Sequence, residues 1–135
     1  MNNLCFCSLS GEVITKCSTD YEQARQLWNR GIQKNPIAIV YCKNNEDVIN
    51  AVLWAQKERV PIRIIAGGHN YEGYSSGDCV LVIDVSQLKS INVDLNENTV
   101  TIGTGVTNGM LYNALGTLSY PFPGGTCPSV CVSSC

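Results

Sequence analysis

Charge and histidine are both scarce in this chain. Of its 135 residues 15% are Asp, Glu, Lys or Arg, and His69 is the single histidine. Nine basic residues stand against 11 acidic ones, a net charge of −2, with the basic residues scattered. Without a basic stripe, neither nucleic acid nor an anionic membrane surface is an expected partner. No apolar run approaches the ~20 residues that a bilayer-crossing helix requires. The opening MNNLCFCSLSGEV lacks a basic n-region and a long apolar stretch, so no signal peptide is read and a cytoplasmic location is expected. After Glu97 no Asp, Glu, Lys or Arg occurs up to Cys135. Two accounts of that gap stay open: buried strands and turns, or packing against a cofactor or further protein.

Cysteine, by contrast, is abundant, at positions 5, 7, 17, 42, 79, 127, 131 and 135. With no secretion signal, reduced thiols are the default. There is no C-x-x-C. Cys127, Cys131 and Cys135 recur every four residues, as on a helix face, but Pro128 and the valines and serines between them oppose a helix. Ordinary zinc-ligand spacings are missing, so no metal site is assigned.

The length suits one domain of modest size. DYEQARQLWNR, residues 20–30, reads as a helix capped by Asp20, with Ala24, Leu27 and Trp28 on one face and Gly31 at its end. IAIVY reads as a buried strand. NNEDVINAVLWAQKER follows as a second helix, started by Asn44 or Asn45, with Val48, Val52 and Ala55 on one face. Pro61 stops it and IRII makes another strand, giving a right-handed βαβ unit. CVLVIDV is a further apolar strand, and INV and TVTIG flank a hairpin turn at DLNEN. TNGMLYNALG reads as a short helix capped by Thr107 or Asn108 and closed by Gly116, before a proline- and glycine-punctuated loop. Trp28 and Trp54 are assigned to the core.

GTGVTNG, residues 103–109, imitates a dinucleotide fingerprint. It has Asn108 where the third glycine belongs, and no acid follows for a ribose. His69 has no Gly-x-Ser-x-Gly partner. A structural hydrogen bond is expected of Asp84, and Glu72 reads as a solvated loop carboxylate. AGGHNYEGYSSG is different in kind. Gly67, Gly68, Gly73 and Gly77 permit positive φ and close backbone approach. Successive amides in such a turn can cradle an anion such as a pyrophosphate. FPGGTCPSV supplies a second glycine turn, bearing the Cys127 thiol.

Together these motifs, P-x-A-I-V, D-V-x-x-A-V, R-x-x-x-G-G-H-x-Y-E-G and G-x-C-P-x-V, resemble those of the berberine bridge enzyme-like flavoprotein oxidases. These have the vanillyl-alcohol oxidase/p-cresol methylhydroxylase (PCMH-type) fold, and the resemblance runs from about Tyr21 to Val130. It implies an α+β architecture, with the βαβ unit followed by a small mixed sheet. It also implies that residues 1–135 are the N-terminal portion of an FAD-binding domain, since relatives are several times longer. Covalent FAD is then the implied cofactor. His69 matches the histidine bonded to the flavin 8α-methyl, and Cys127 matches a cysteine that often forms a second bond at C6. Ala66, Gly67, Gly68, His69, Asn70 and Gly73 fall in the pyrophosphate loop. The full-length relative would oxidise an alcohol, sugar or similar donor, with oxygen as acceptor. This chain holds no catalytic base and is expected to be inactive alone. Cys131 and Ser134 stand where the family has glycine, and side chains there are expected to crowd the site. The rival reading is a non-catalytic fragment that binds no flavin, either a truncated product or a thiol-rich module using Cys127, Cys131 and Cys135 for a metal.

Overall fold

The computed structural model describes residues 4–133. It contains β1 (Glu12–Thr15), α1 (Tyr21–Ala24), β2 (Ala38–Tyr41), α2 (Asn45–Glu58), β3 (Ile62–Ile65), β4 (Leu81–Asp84), β5 (Ile91–Asp94), β6 (Thr99–Ile102) and α3 (Asn108–Gly116). Four strands form one sheet in the order β1-β2-β4-β3, and β5 and β6 form a separate hairpin. β2, β4 and β3 run parallel, and β1 closes the sheet antiparallel to β2. The architecture is mixed α+β, as the sequence implied.

The apolar run Leu81, Val82 and Ile83, ending in Asp84, makes β4 the middle of the parallel set, buried at every position. α2 lies over β2 and β4. Asn44 caps it by accepting from the Asp47 N–H at 2.8 Å, and Arg59 ends it in the left-handed region at φ 55°. Ala51, Trp54 and Ala55 face the core with half-buried Val48, against Val40, Leu81 and Ile83. The Trp54 indole N–H donates to the Cys5 carbonyl at 3.0 Å, so its assignment to the core holds. Val52 does not share that face and is 39% exposed. The helical period places Ala51, Trp54 and Ala55 inward, and Val52 falls one step around the surface.

The expected βαβ unit is present as β2-α2-β3, but its strands are not neighbours, because β4 is inserted between them. The first helix is far shorter than its pattern predicts. α1 covers only Tyr21–Ala24, and the Asp20 side chain makes no capping hydrogen bond. Leu27 turns into the core at 3% exposure, while Trp28 is 70% exposed, which corrects its assignment to the core. Tertiary contacts made by Leu27 and Trp28 outweigh the weak propensity of a marginal helix. β1 was not anticipated; its four residues at a sheet edge carry little periodic signal.

The hairpin and α3 form as read. α3 is capped by Thr107, whose hydroxyl accepts from the Met110 N–H at 3.3 Å. Leu111 and Leu115 pack with Val106 against the hairpin residues Ile91, Val93, Val100 and Ile102. Gly103 and Gly105 join this layer to the chain that leaves β4. A Cβ at either would lie 2.2 Å from a backbone oxygen, of Leu88 or Ser86 respectively, so both glycines serve backbone approach.

Candidate functional site

β3 and β4 run parallel, so the loop that begins at Ala66 leaves the carboxyl edge of the sheet beside Asp84. In α/β sheets that edge is where ligands collect. Gly68 and Gly73 take φ of +68° and +72°, two turns that an L-residue adopts only at a cost. The Asn70 carbonyl accepts from the Gly73 N–H at 3.2 Å and its side chain from the Tyr74 N–H at 3.0 Å, which closes the turn. None of the N–H groups of residues 66–70 donates to an acceptor among the described residues. Backbone donors in folded chains are rarely left without partners. A run of them in a half-buried glycine turn, with Gly68 itself buried, leaves a row of donors open to an acceptor outside the chain, water or ligand.

Two clefts flank this loop, and Ala66 and Gly68 belong to the walls of both. The first, about 500 Å³, is bordered by Gly67, Trp28, Tyr41, Glu12, Asp20 and Asp84. The second, about 560 Å³, is bordered by His69, Asn70, Ser75, Thr104, Val130 and Ser133. Three carboxylates face the first cleft, whereas no Asp, Glu, Lys or Arg borders the second. Burial pushes the Asp84 carboxyl up, against the lowering effect of its hydrogen bond from the Ser86 N–H at 2.8 Å. That hydrogen bond is the structural role expected of Asp84. Burial, and then the Asp84 charge, also raise the Tyr41 hydroxyl.

The second cleft fits a polar ligand held by the loop. Ser75 Oγ is buried without a hydrogen-bond partner among the described residues, and Ser75 borders this cleft. Neither ring nitrogen of His69 is hydrogen-bonded to a described residue. Its ring is stacked on Trp28, with centroids 4.7 Å apart and planes inclined by 24°. A Cβ at Gly67 would come 3.1 Å from His69 Cδ2 and 3.2 Å from Cys131 Sγ, so the loop needs glycine there. Cys131, at an expected glycine position, is buried directly against the loop. Ser134 and Cys135 lie outside the described residues.

Other candidates are placed differently. Gly73 borders neither cleft, and a Cβ there would meet Ile32 Cγ2 at 2.6 Å, so it serves the packing of residues 27–32. Cys127 is exposed and also borders neither cleft, although Val130 and Ser133 of its segment do. The Ser129 hydroxyl lies 3.3 Å from its sulfur and lowers the thiol pKa. The first amides of α3 are already taken: Asn108 N–H by Val130 O at 2.9 Å and Gly109 N–H by Pro128 O at 3.0 Å. GTGVTNG therefore offers no phosphate site. Residues 116–129 are exposed apart from half-buried Phe122, so burial within this chain does not account for their lack of charge.

Among the described residues no group of three His, Cys, Asp or Glu could hold a metal ion. Nor is any helix among them long and apolar enough to cross a membrane. Sequence reasoning missed Trp28, Ser75, Thr104 and Ser133. Nothing in the local pattern marks these residues, because they meet only through the fold.

A family model described as "FAD binding domain" matches residues 36–135. The Bacillus subtilis protein YgaK, described as an uncharacterized FAD-linked oxidoreductase, is 37% identical over 122 residues, covering 90% of this chain and 27% of its own. Berberine bridge enzyme-like 22 of Arabidopsis thaliana is 36% identical over 99 residues, covering 70% of this chain and 19% of its own. Among solved structures, 6-hydroxy-D-nicotine oxidase from Arthrobacter nicotinovorans superimposes with a TM-score of 0.86 at 28% identity, over 93% of this chain and 28% of that one. The chain thus spans less than a third of the length of each of these relatives.

Proposed function

The chain belongs to the FAD binding domain family, and from that premise we propose that it is the cofactor-holding portion of an FAD-dependent oxidase, with His69 as the flavin tether. The observation that supports this reading is the row of unengaged amides at residues 66–70 beside the sole histidine. Amides of Ala66, Gly67, Gly68, His69 and Asn70 would hold the FAD pyrophosphate, neutralising it with peptide dipoles instead of lysine or arginine. An anion on the second side of the loop avoids the carboxylates of Glu12, Asp20 and Asp84. Ser75 would give its hydroxyl hydrogen to the same group.

His69 holds a nitrogen lone pair that no described residue engages, as a nucleophile requires. His69 would be the residue that holds FAD covalently, its nitrogen replacing one hydrogen of the flavin 8α-methyl. The imidazole hydrogen and that methyl hydrogen would leave as two protons and two electrons, with dioxygen, reduced to hydrogen peroxide, as the acceptor. When bound, FAD supplies the acceptor for a hydride from an alcohol, sugar or similar donor, with oxygen as terminal acceptor. Cys127, with its lowered thiol pKa, is the second candidate attachment point. No residue here is assigned as catalytic base, and the chain alone is expected to turn over no donor.

The test is retention of flavin after denaturation. The chain is produced with FAD, precipitated in acid, and the washed pellet read by absorbance and intact mass. One flavin adduct that His69→Ala abolishes supports the tether. An adduct that survives His69→Ala but not His69→Ala with Cys127→Ser moves the attachment to Cys127. A colourless pellet of unmodified mass overturns covalent attachment in this chain.

A further inference from the structure

Trp28 is an anomaly among the aromatic residues. Indole is usually buried for its large apolar area, yet here it is 70% exposed. Its ring partner lies in none of the core clusters but is the His69 imidazole, stacked at 4.7 Å. The chain around it is held firmly all the same. Leu27 is buried against Gly73, whose Cβ position lies 3.2 Å from Leu27 Cδ1. The Trp28 N–H donates to the Gly68 carbonyl at 3.1 Å, and the Asn29 side-chain amide donates to the Tyr71 carbonyl at 3.1 Å. Three consecutive residues, 27 to 29, therefore strap the loop at 68, 71 and 73. The middle one presents its ring flat to the histidine.

We propose that Trp28 is the positioning residue for His69: it fixes the plane of the imidazole, so that a ring nitrogen is aimed into the second cleft. The part concerning attachment rests on the reading of His69 as the flavin tether. The χ2 torsion of histidine joins an sp³ to an sp² carbon and has a broad, shallow profile, so an unsupported imidazole swings widely. Here one surface bounds it and one gap admits it. The indole face covers one side, and the missing Cβ of Gly67 lets the Cδ2 edge settle 3.1 Å from where that carbon would stand. The indole borders the first cleft and the imidazole the second, so the stack clasps the loop from both sides. Bond formation at one nitrogen needs a narrow approach angle, and misplacement by ~1 Å costs a reaction roughly 100-fold. An exposed tryptophan spent on one imidazole is accounted for by that requirement.

The experiment compares the full chain with its Trp28→Leu and Trp28→Phe variants. Leucine keeps an apolar side chain without a flat face, and phenylalanine restores the face. As His69 is the sole histidine, its two ring-proton resonances are identified without ambiguity in the flavin-free protein. They are expected upfield in the wild type through the indole ring current, displaced in Trp28→Leu, and largely restored in Trp28→Phe. Covalent flavin uptake is expected to slow roughly 10- to 100-fold in Trp28→Leu and to recover in Trp28→Phe. The urea midpoint should stay near wild type, because the lost ring is mostly exposed. Ring protons indifferent to Trp28→Leu, or uptake at the wild-type rate in that variant, overturn the proposal. If the wild-type chain takes up no covalent flavin, the tether reading fails by itself. The ring protons then decide alone: displacement in Trp28→Leu upholds the positioning of His69, and its absence refutes it.

Discussion

Replacing Gly68 by alanine separates the conformational demand of the loop from its packing. Residue 68 sits at φ +68°, where a Cβ costs about 1–2 kcal/mol. The added carbon would stand 3.3 Å from Ile65 Cδ1 and 3.9 Å from the Trp28 nitrogen. The first contact is tight but involves the end of a side chain that can rotate away; the second is ordinary. The backbone cost therefore dominates, and Gly68→Ala should lose about 1–2 kcal/mol. With a urea dependence of about 1–3 kcal/mol per molar, the unfolding midpoint falls by roughly 0.3–2 M. Ile65→Val removes Cδ1, so adding Gly68→Ala on that background should still cost nearly the full amount. The assay is urea unfolding followed by tryptophan fluorescence and circular dichroism. An unchanged midpoint would show that residue 68 is not held at positive φ. A loss abolished by Ile65→Val would assign the cost to crowding and refute the backbone account.

Two further predictions concern titrating groups. Burial raises the Asp84 carboxyl, so the native state holds this proton more tightly than the unfolded chain does. Its contribution to stability is greatest below the ordinary carboxylate pKa of about 4 and is lost as pH rises through the raised native value. Asp84→Asn keeps an acceptor for the Ser86 N–H without the charge. Its stability relative to wild type should thus improve as pH climbs from about 4 to 7, and a difference that stays flat across that window would refute the assignment. Among the thiols, burial pushes Cys42 up to about 11, whereas the Ser129 hydroxyl lowers Cys127. Alkylation at pH 8, read by peptide mass mapping, should label Cys127 well ahead of Cys42, and Ser129→Ala should slow Cys127. Equal labelling of the two would contradict both placements.

The parts of this molecule legible in its sequence are those built from short-range signals. α2 starts at Asn44, whose side chain caps it, and α3 starts at Thr107 for the same reason. The hairpin follows from alternating Ile, Val and Thr about a polar turn, with Asn98 in the left-handed region. The first helix misled because its pattern was sound but its neighbours were stronger: Leu27 and Trp28 leave the helical path for the core and for the Gly68 carbonyl. GTGVTNG misled in the opposite way, since glycines that read as a phosphate turn are there to let two backbones touch.

By itself the sequence determined strands β2 to β6 and the two longer helices, the glycine loop with its single histidine, and the family to which those motifs belong. Each depends on residues within a few positions of one another, where capping, period and turn chemistry act. Only the tertiary structure decided that β4 enters between β2 and β3. It alone decided that carboxylates gather on one side of the loop and none on the other, and that an exposed tryptophan from residues 27–29 lies against His69. These are meetings of residues about 20 to 70 positions apart, fixed by which faces can be buried together, and no local pattern records them.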